Sequence, residues 1–278
     1  MRKLGIELNS NRSVRRLSYL INFMINLVVI ILQKKYWNRI FYLIVNQGGD
    51  VLNRALLMTR INNDIIDFLI YSINNHKISY SSDYQDKFAL FYFYSNSINY
   101  KTIFFIDIGA FDGVTKSNTL LLENVGIDGV CLEANPKLFD LIIQNRRCAV
   151  EGSAIVTTQN KINNYILDLK GQRHLGSSLK KVEENSKNLI TTLSVTEFLL
   201  KYENMLRHHS TFYLSIDIEG EDARILEDFL NLGFRPTIVS IEHNHNAEVR
   251  ENLLKMAEKF GYTNKFRGFF RNEFVLTK

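Results

Sequence analysis

Beyond about residue 100 the chain alternates short apolar runs with longer stretches in which apolar residues recur every three or four positions. Ile103–Ile108 is apolar on both alternating faces except at Asp107, which predicts a strand buried on both sides. Comparable runs predict strands near 129–133, 148–155, 212–217, 237–242, 262–267 and 273–277. The helical period predicts helices over 117–125, 136–145, 194–203, 222–232 and 246–260. Pro136 suits a first helical turn, where a missing N–H costs nothing, and Gly233 suits a helix C-terminal cap. Strand and helix in alternation predict a doubly wound, mostly parallel α/β sheet. The last two strands lie close together around Gly268, which predicts a hairpin.

The N-terminal part follows a different pattern. Leu17–Leu32 is strongly apolar and flanked by Arg15-Arg16 and Lys34-Lys35. As a helix it would span roughly 24 Å, short of a hydrocarbon core of about 30 Å. Ser18, Asn22 and Asn26 put a polar stripe on one face, so the expectation is an amphipathic helix that makes peripheral membrane contact through residues 15–35. A helix docked on the protein's own surface or on a partner fits the same pattern, and a single span fits it less well. No small-residue cleavage site follows, which argues against a secretory signal. Residues 47–98, with Ile65, Ile66, Phe68 and Leu69 at helical spacing, are expected to form a helical cap. The organisation read from the sequence is therefore 1–46, a basic and apolar segment; 47–98, a helical cap; and 99–278, the α/β domain.

Charge sharpens this division. The net charge is +5, yet residues 1–46 hold eight Lys and Arg against one Asp or Glu. The remainder holds 26 basic and 28 acidic residues. The domain itself thus lacks the excess of positive charge a nucleic-acid groove requires, and no nucleic-acid partner is expected. Cys131 and Cys148 fall within or beside predicted strands and are expected to be reduced core thiols of a cytoplasmic protein.

The candidate chemistry begins at the end of the first strand. There Asp107 precedes Gly109 and Gly113, with Asp112 between the two glycines. Glycines let a backbone turn sharply and approach a ligand closely. A second apolar run, Gly129–Leu132, ends in Glu133, an acid placed to take both hydroxyls of a ribose. A dinucleotide fingerprint needs Gly-x-Gly-x-x-Gly to seat a pyrophosphate; here the spacing is Gly-x-x-x-Gly, and two carboxylates would repel that anion. The same carboxylates would favour a sulfonium and an α-amino group. The pattern is similar to the S-adenosylmethionine (SAM) site of class I methyltransferases. On this geometry Asp107, Gly109, Asp112 and Gly113 surround the methionine half, Glu133 holds the ribose, and Ser153 with Ala154 lies beside the adenine. Asp107 and Asp112 can also be read as turn-capping carboxylates, the weaker reading given Glu133 in register, whereas Ser153 reads equally well as an ordinary strand-end serine.

Several further segments, in order, resemble one family. Phe105–Gly113 (Phe-Ile-Asp-Ile-Gly-Ala-Phe-Asp-Gly), Ser117-Asn118-Thr119, Cys131–Pro136, Asn145-Arg146, Leu214–Glu221 and Ile241–Asn244 are similar to the FkbM-type methyltransferases, as is Tyr84–Phe88 upstream. The resemblance runs from about Ser81 to the C-terminus. It implies a Rossmann-like, seven-stranded sheet with an antiparallel last strand, SAM as cofactor, and Phe111, Asn118, Ala134 and Asp217 as further cofactor contacts.

A second acidic set, Asp217, Glu219, Glu221 and Asp222, follows the fourth core strand, and Glu242, His243 and His245 follow the fifth. Asp217, His243 and Glu242 are the candidate catalytic residues. Methyl transfer needs alignment above all, plus a base where the nucleophile is a hydroxyl. His243 is a reasonable base because the intrinsic pKa of an imidazole lies near the working pH, although a strand-end histidine that only packs fits as well. Asp217, Glu242 and Asn244 would suit Mg²⁺, but Glu219 and Glu221 also fit as helix-capping acids, and no metal is expected. His174, His208 and His209 show no ligand spacing. Two departures from the family pattern, Glu273 where an Asp precedes the aromatic and the variable Gly171–Ser178, touch the acceptor more than the cofactor. The function read from the sequence is SAM-dependent O-methylation of a sugar, glycan or other small-molecule hydroxyl. A non-catalytic membrane-tethered module and a nucleotide-dependent oxidoreductase are the rival classes.

Overall fold

The computed structural model describes residues 78–160, 164–168, 178–182, 189–218, 220–243, 246–264 and 273–278, with Asp67, Phe68, Tyr71 and Asn75 upstream. The chain divides into two compact units, Met1–His76 and Lys77–Lys278. In the first unit only those four upstream residues are described, so the expected helix at Leu17–Leu32 lies outside the described residues.

In chain order the second unit contains α1 (Gln85–Ser95), β1 (Ile103–Ile108), α2 (Leu120–Asn124), β2 (Asp128–Leu132), α3 (Pro136–Asn145), β3 (Ala149–Glu151), β4 (Ala154–Val156), β5 (Asn164–Asp168), β6 (Ser178–Val182) and β7 (Thr192–Ser194). It continues with α4 (Val195–Lys201), α5 (Glu203–Leu206), β8 (Thr211–Ile216), α6 (Asp222–Asn231), β9 (Ile238–Glu242), α7 (Ala247–Phe260) and β10 (Glu273–Thr277). Among the described residues the main sheet holds six strands in the order β10-β9-β8-β1-β2-β3. All neighbours are parallel except β10, which runs antiparallel to β9.

β1 is central, and all six of its residues are buried. It pairs with β2 and β8 so that Asp107 stands opposite both Cys131 and Ser215. One face of the sheet, including Phe104, Ile106, Leu214 and Val239, packs against Phe198, Ile225, Phe229 and Leu253 from α4, α6 and α7. Burial of apolar side chains at this scale is the main force holding the sheet to its helices. The helix ends follow local rules. Asn135 caps α3 by accepting from Lys137 N at 3.1 Å, with Pro136 at the first position. Ser194 and Glu197 form a reciprocal capping box on α4. Asn246 caps α7.

Of the seventh strand expected over 262–267, the described residues show an antiparallel bridge from Thr263 to Thr277 of β10; residues 265–267, and Gly268 of the expected hairpin, lie outside the described residues. The run 148–155 does not form one strand. Ser153 turns its hydroxyl onto Glu151 Oε1 (2.8 Å), and the chain leaves the main sheet there. β4 then pairs with β7 in a separate two-stranded ladder. A hairpin of β5 and β6, which the apolar pattern did not predict, fills part of the connection to β7.

Helix α1 belongs to the second unit. Ser81 bridges to Lys116, and Tyr92 Oη donates to Lys278 O at 3.0 Å. Its buried Asp86 accepts from Ser79 Oγ (2.5 Å), Tyr80 N (2.7 Å) and Ser81 Oγ (2.8 Å), fixing the entry to the helix.

Candidate functional site

The strand order reverses direction at β1: β2 and β3 lie on one side, β8 and β9 on the other. In open α/β sheets the carboxyl ends at such a switch point form the ligand crevice. Gly109 and Asp217 flank that point directly. Asp217 N donates to Ile108 O at 2.9 Å, and Gly109 N donates to Leu132 O at 3.0 Å. The loop from Gly109 to Thr119 therefore spans the tips of β2, β1 and β8.

Gly109 has φ +87°, and a β-carbon there would stand 1.9 Å from the Asp217 carbonyl oxygen. Gly113 has φ +79°, and its missing β-carbon leaves room for the Arg146 stem, whose Cγ is 2.8 Å from that point. Both glycines are thus demanded by the protein's own packing. Phe111, at φ 54°, holds a left-handed conformation uncommon outside glycine.

Asp112 in the loop and Asp107 in β1 are both tied into the protein. Asp112 Oδ1 accepts from Val114 N (2.9 Å) and Thr115 N (2.6 Å), and Oδ2 accepts from the Thr115 hydroxyl (2.6 Å). Burial alone would raise its pKa, but these donors hold it below the usual aspartate range. Asp107 is buried, and Thr119 Oγ1 donates to its Oδ2 at 2.5 Å. Burial pushes the Asp107 carboxyl up, against the pull of the Arg146 charge and the Thr119 and Ser215 hydroxyls. Asn118 is also buried, its Nδ2 donating to Ser215 Oγ at 3.2 Å.

Glu133 stands at the tip of β2. Its Oε2 accepts from Phe111 N (3.0 Å) and its Oε1 from Asn135 N (2.8 Å), joining the loop to the start of α3. Burial pushes its carboxyl up to about 7, against backbone hydrogen bonds that lower it. Beside it, Asn135 uses Oδ1 as the helix cap, while its buried Nδ2 finds no hydrogen-bond partner among the described residues. Ala134 lies between these two residues, half-buried. Ser153, buried, is committed through its hydroxyl to Glu151, which Lys201 Nζ (2.5 Å) and Tyr202 Oη (3.2 Å) also engage.

On the other side of the switch point Asp217 is exposed, Glu242 half-buried and His243 buried. The helix following β8 is entered through Asp222, whose carboxylate accepts from Ile218 N and Gly220 N, both at 2.9 Å. Glu221 instead pairs with Arg224 at 3.2 Å. Glu219, Asn244 and His245 lie outside the described residues, as do His174, Arg271, Asn272 and most of Gly171–Ser178. Among the described residues no group of three or more His, Cys, Asp or Glu side chains is placed to hold a metal ion. Nor is any described helix long and apolar enough to cross a membrane.

The structure thus gathers Gly109, Phe111, Asp112, Gly113 and Glu133 at one edge, with Asp107 and Asn118 buried behind the loop. It also reveals Thr119, Ser215 and Arg146 as the loop's internal partners. All three lie in segments already singled out by the family resemblance, which said nothing of what they do.

No curated protein and no solved structure matches the chain. The sequence profile of the methyltransferase FkbM domain, however, matches residues 107–269, from the acid of β1 to beyond α7. That span covers more than half of the chain and every candidate residue described above, so the chain belongs to the FkbM methyltransferase family.

Proposed function

We propose that this methyltransferase uses SAM to methylate a hydroxyl on a sugar, glycan or other small-molecule acceptor. The observation that carries the reading is Glu133. It is a half-buried carboxylate at the tip of β2, which burial pushes up to about 7 against the backbone N–H groups of Asn135, Phe111 and Ala134. A ribose cis-diol supplies two hydroxyl donors, which the remaining lone pairs of such a carboxylate can accept. The buried Nδ2 of Asn135, without a partner among the described residues, adds a donor beside it. These groups fit an adenosine moiety, with Gly109, Phe111 and Gly113 shaping the loop along it.

When bound, SAM supplies a methyl carbon already activated by a positive sulfur. The chain's own residues then have to align the acceptor and take its proton. Asp217, exposed at the switch point, is the group an incoming hydroxyl meets. Buried His243 and half-buried Glu242, at the end of β9, orient it or receive the proton from it. The protein acts in the cytoplasm, with residues 15–35 making peripheral contact with a membrane face. The three-part organisation 1–46, 47–98 and 99–278 belongs to the same proposal.

Calorimetric titration with S-adenosylhomocysteine, with NAD as control, tests the cofactor. Micromolar binding of the former alone is expected. Folded protein that binds neither compound, or that binds NAD, overturns the reading.

A further inference from the structure

Arg146 follows α3 directly, and its side chain is wholly buried. Its guanidinium spends its donors on the loop and its exit. Nε donates to Glu123 Oε2 (2.8 Å), Nη1 to Gly113 O (3.0 Å) and Ser117 Oγ (3.3 Å), and Nη2 to Thr119 Oγ1 (3.0 Å). Thr119 passes the connection on to Asp107. The stem of Arg146 fills the space that Gly113 leaves open, and the guanidinium lies 5.5 Å from the centre of the Phe105 ring. One cation therefore braces the segment 113–119 at three points along its length.

We propose that Arg146 is a positioning residue for the cofactor loop, acting through Gly113, Ser117 and Thr119 without touching the cofactor. The assignment of the loop to SAM rests on the functional reading above; the bracing itself does not. A planar guanidinium can serve several acceptors in fixed directions, whereas a lysine ammonium offers a single point of charge. Arg146→Lys keeps the charge that neutralises Glu123 and removes the fork. Gly113→Ala disturbs the same contact from the other side.

The experiment uses the full chain, its two single variants and the double variant. Amide hydrogen exchange is followed over 109–119 and over β8 and β9, alongside calorimetry with S-adenosylhomocysteine. Each single variant is expected to speed exchange within 109–119 while β8 and β9 keep their protection. Each should weaken the ligand by about tenfold or more, and the double variant should be no weaker than the worse single one. A merely structural arginine would lower Tm and leave local exchange and the affinity of the folded fraction unchanged. Wild-type exchange and affinity in folded Arg146→Lys overturn the proposal, as do losses that multiply in the double variant. If Arg146→Lys fails to fold, Gly113→Ala decides alone: unchanged exchange over 109–119 overturns it. If the wild-type chain binds no S-adenosylhomocysteine, the functional reading fails, and exchange in the variants still decides the bracing.

Discussion

The backbone carbonyl of Asp217 occupies the space that a side chain on Gly109 would need, 1.9 Å from the position of its β-carbon. The two residues lie 108 positions apart yet form one wall of the switch-point crevice, and Gly109 also requires φ +87°. Gly109→Ala must therefore push β1 and β8 apart at their tips or distort the turn. The expected cost is about 2–4 kcal/mol, from strain and overpacking together. Urea denaturation checks it; a loss below about 1 kcal/mol would show that the tips yield easily.

Glu133 sets a pH dependence. Its carboxyl is raised from 4.5 to about 7 in the folded chain. Its contribution to stability is thus fully present below pH 4.5 and is lost as pH rises through about 7. Ribose hydroxyls, in contrast, donate best to the ionised form. Affinity for S-adenosylhomocysteine is expected to rise about tenfold between pH 6 and pH 8. Calorimetry across that range should show the slope, and Glu133→Gln should flatten it while weakening binding.

Glu123 behaves in the opposite sense. Burial alone would raise its pKa, but hydrogen bonds from Arg147 N–H and the Arg146 guanidinium hold it below the usual glutamate range. Its stabilising contribution is present above about pH 4.5 and is lost as pH falls through the depressed value. Glu123→Ala leaves the buried Arg146 charge without its nearest anion. Breaking such a pair is expected to cost about 3–5 kcal/mol, read as a lower midpoint in chemical denaturation at pH 7.

For the chemical step, His243→Ala should keep S-adenosylhomocysteine affinity within about threefold of wild type, while turnover falls by about 10²-fold or more. Turnover is measured as S-adenosylhomocysteine release with an acceptor found by screening sugars and glycans. Full activity in His243→Ala would remove it from proton transfer and leave Asp217 as the base.

Removal of residues 1–46 should move the protein from the membrane fraction to the supernatant when cells are lysed without detergent. A full-length chain found wholly in the supernatant would refute the interfacial helix at residues 15–35.

Legibility in the sequence followed the range of the interactions. Ile103–Ile108 was readable to the residue because a central strand buried on both faces has an unbroken apolar run. The run 148–155 misled because a strand that leaves one sheet for another keeps its pattern while its partner changes. The β5–β6 hairpin mixes Asn, Ser and Lys with apolar residues and carries no period strong enough to read. At the candidate site, the place of Glu133 at the tip of β2 was legible because an acid closes the apolar run there. The turn-capping role of Asp112 was visible as an alternative, its partners lying two and three residues on. Arg146 was not, because its partners at Gly113 and Glu123 stand 33 and 23 residues away. Side-chain direction at that separation is settled by packing and leaves no periodic trace.

The tying of Asp112 and Glu133 to the loop's own amides has a kinetic consequence. A segment that already holds its shape loses little conformational entropy when a ligand arrives. Encounter then needs no ordering step, and related nucleosides should reach the crevice at similar rates. Discrimination among them would be expressed as residence time, in how slowly each one leaves.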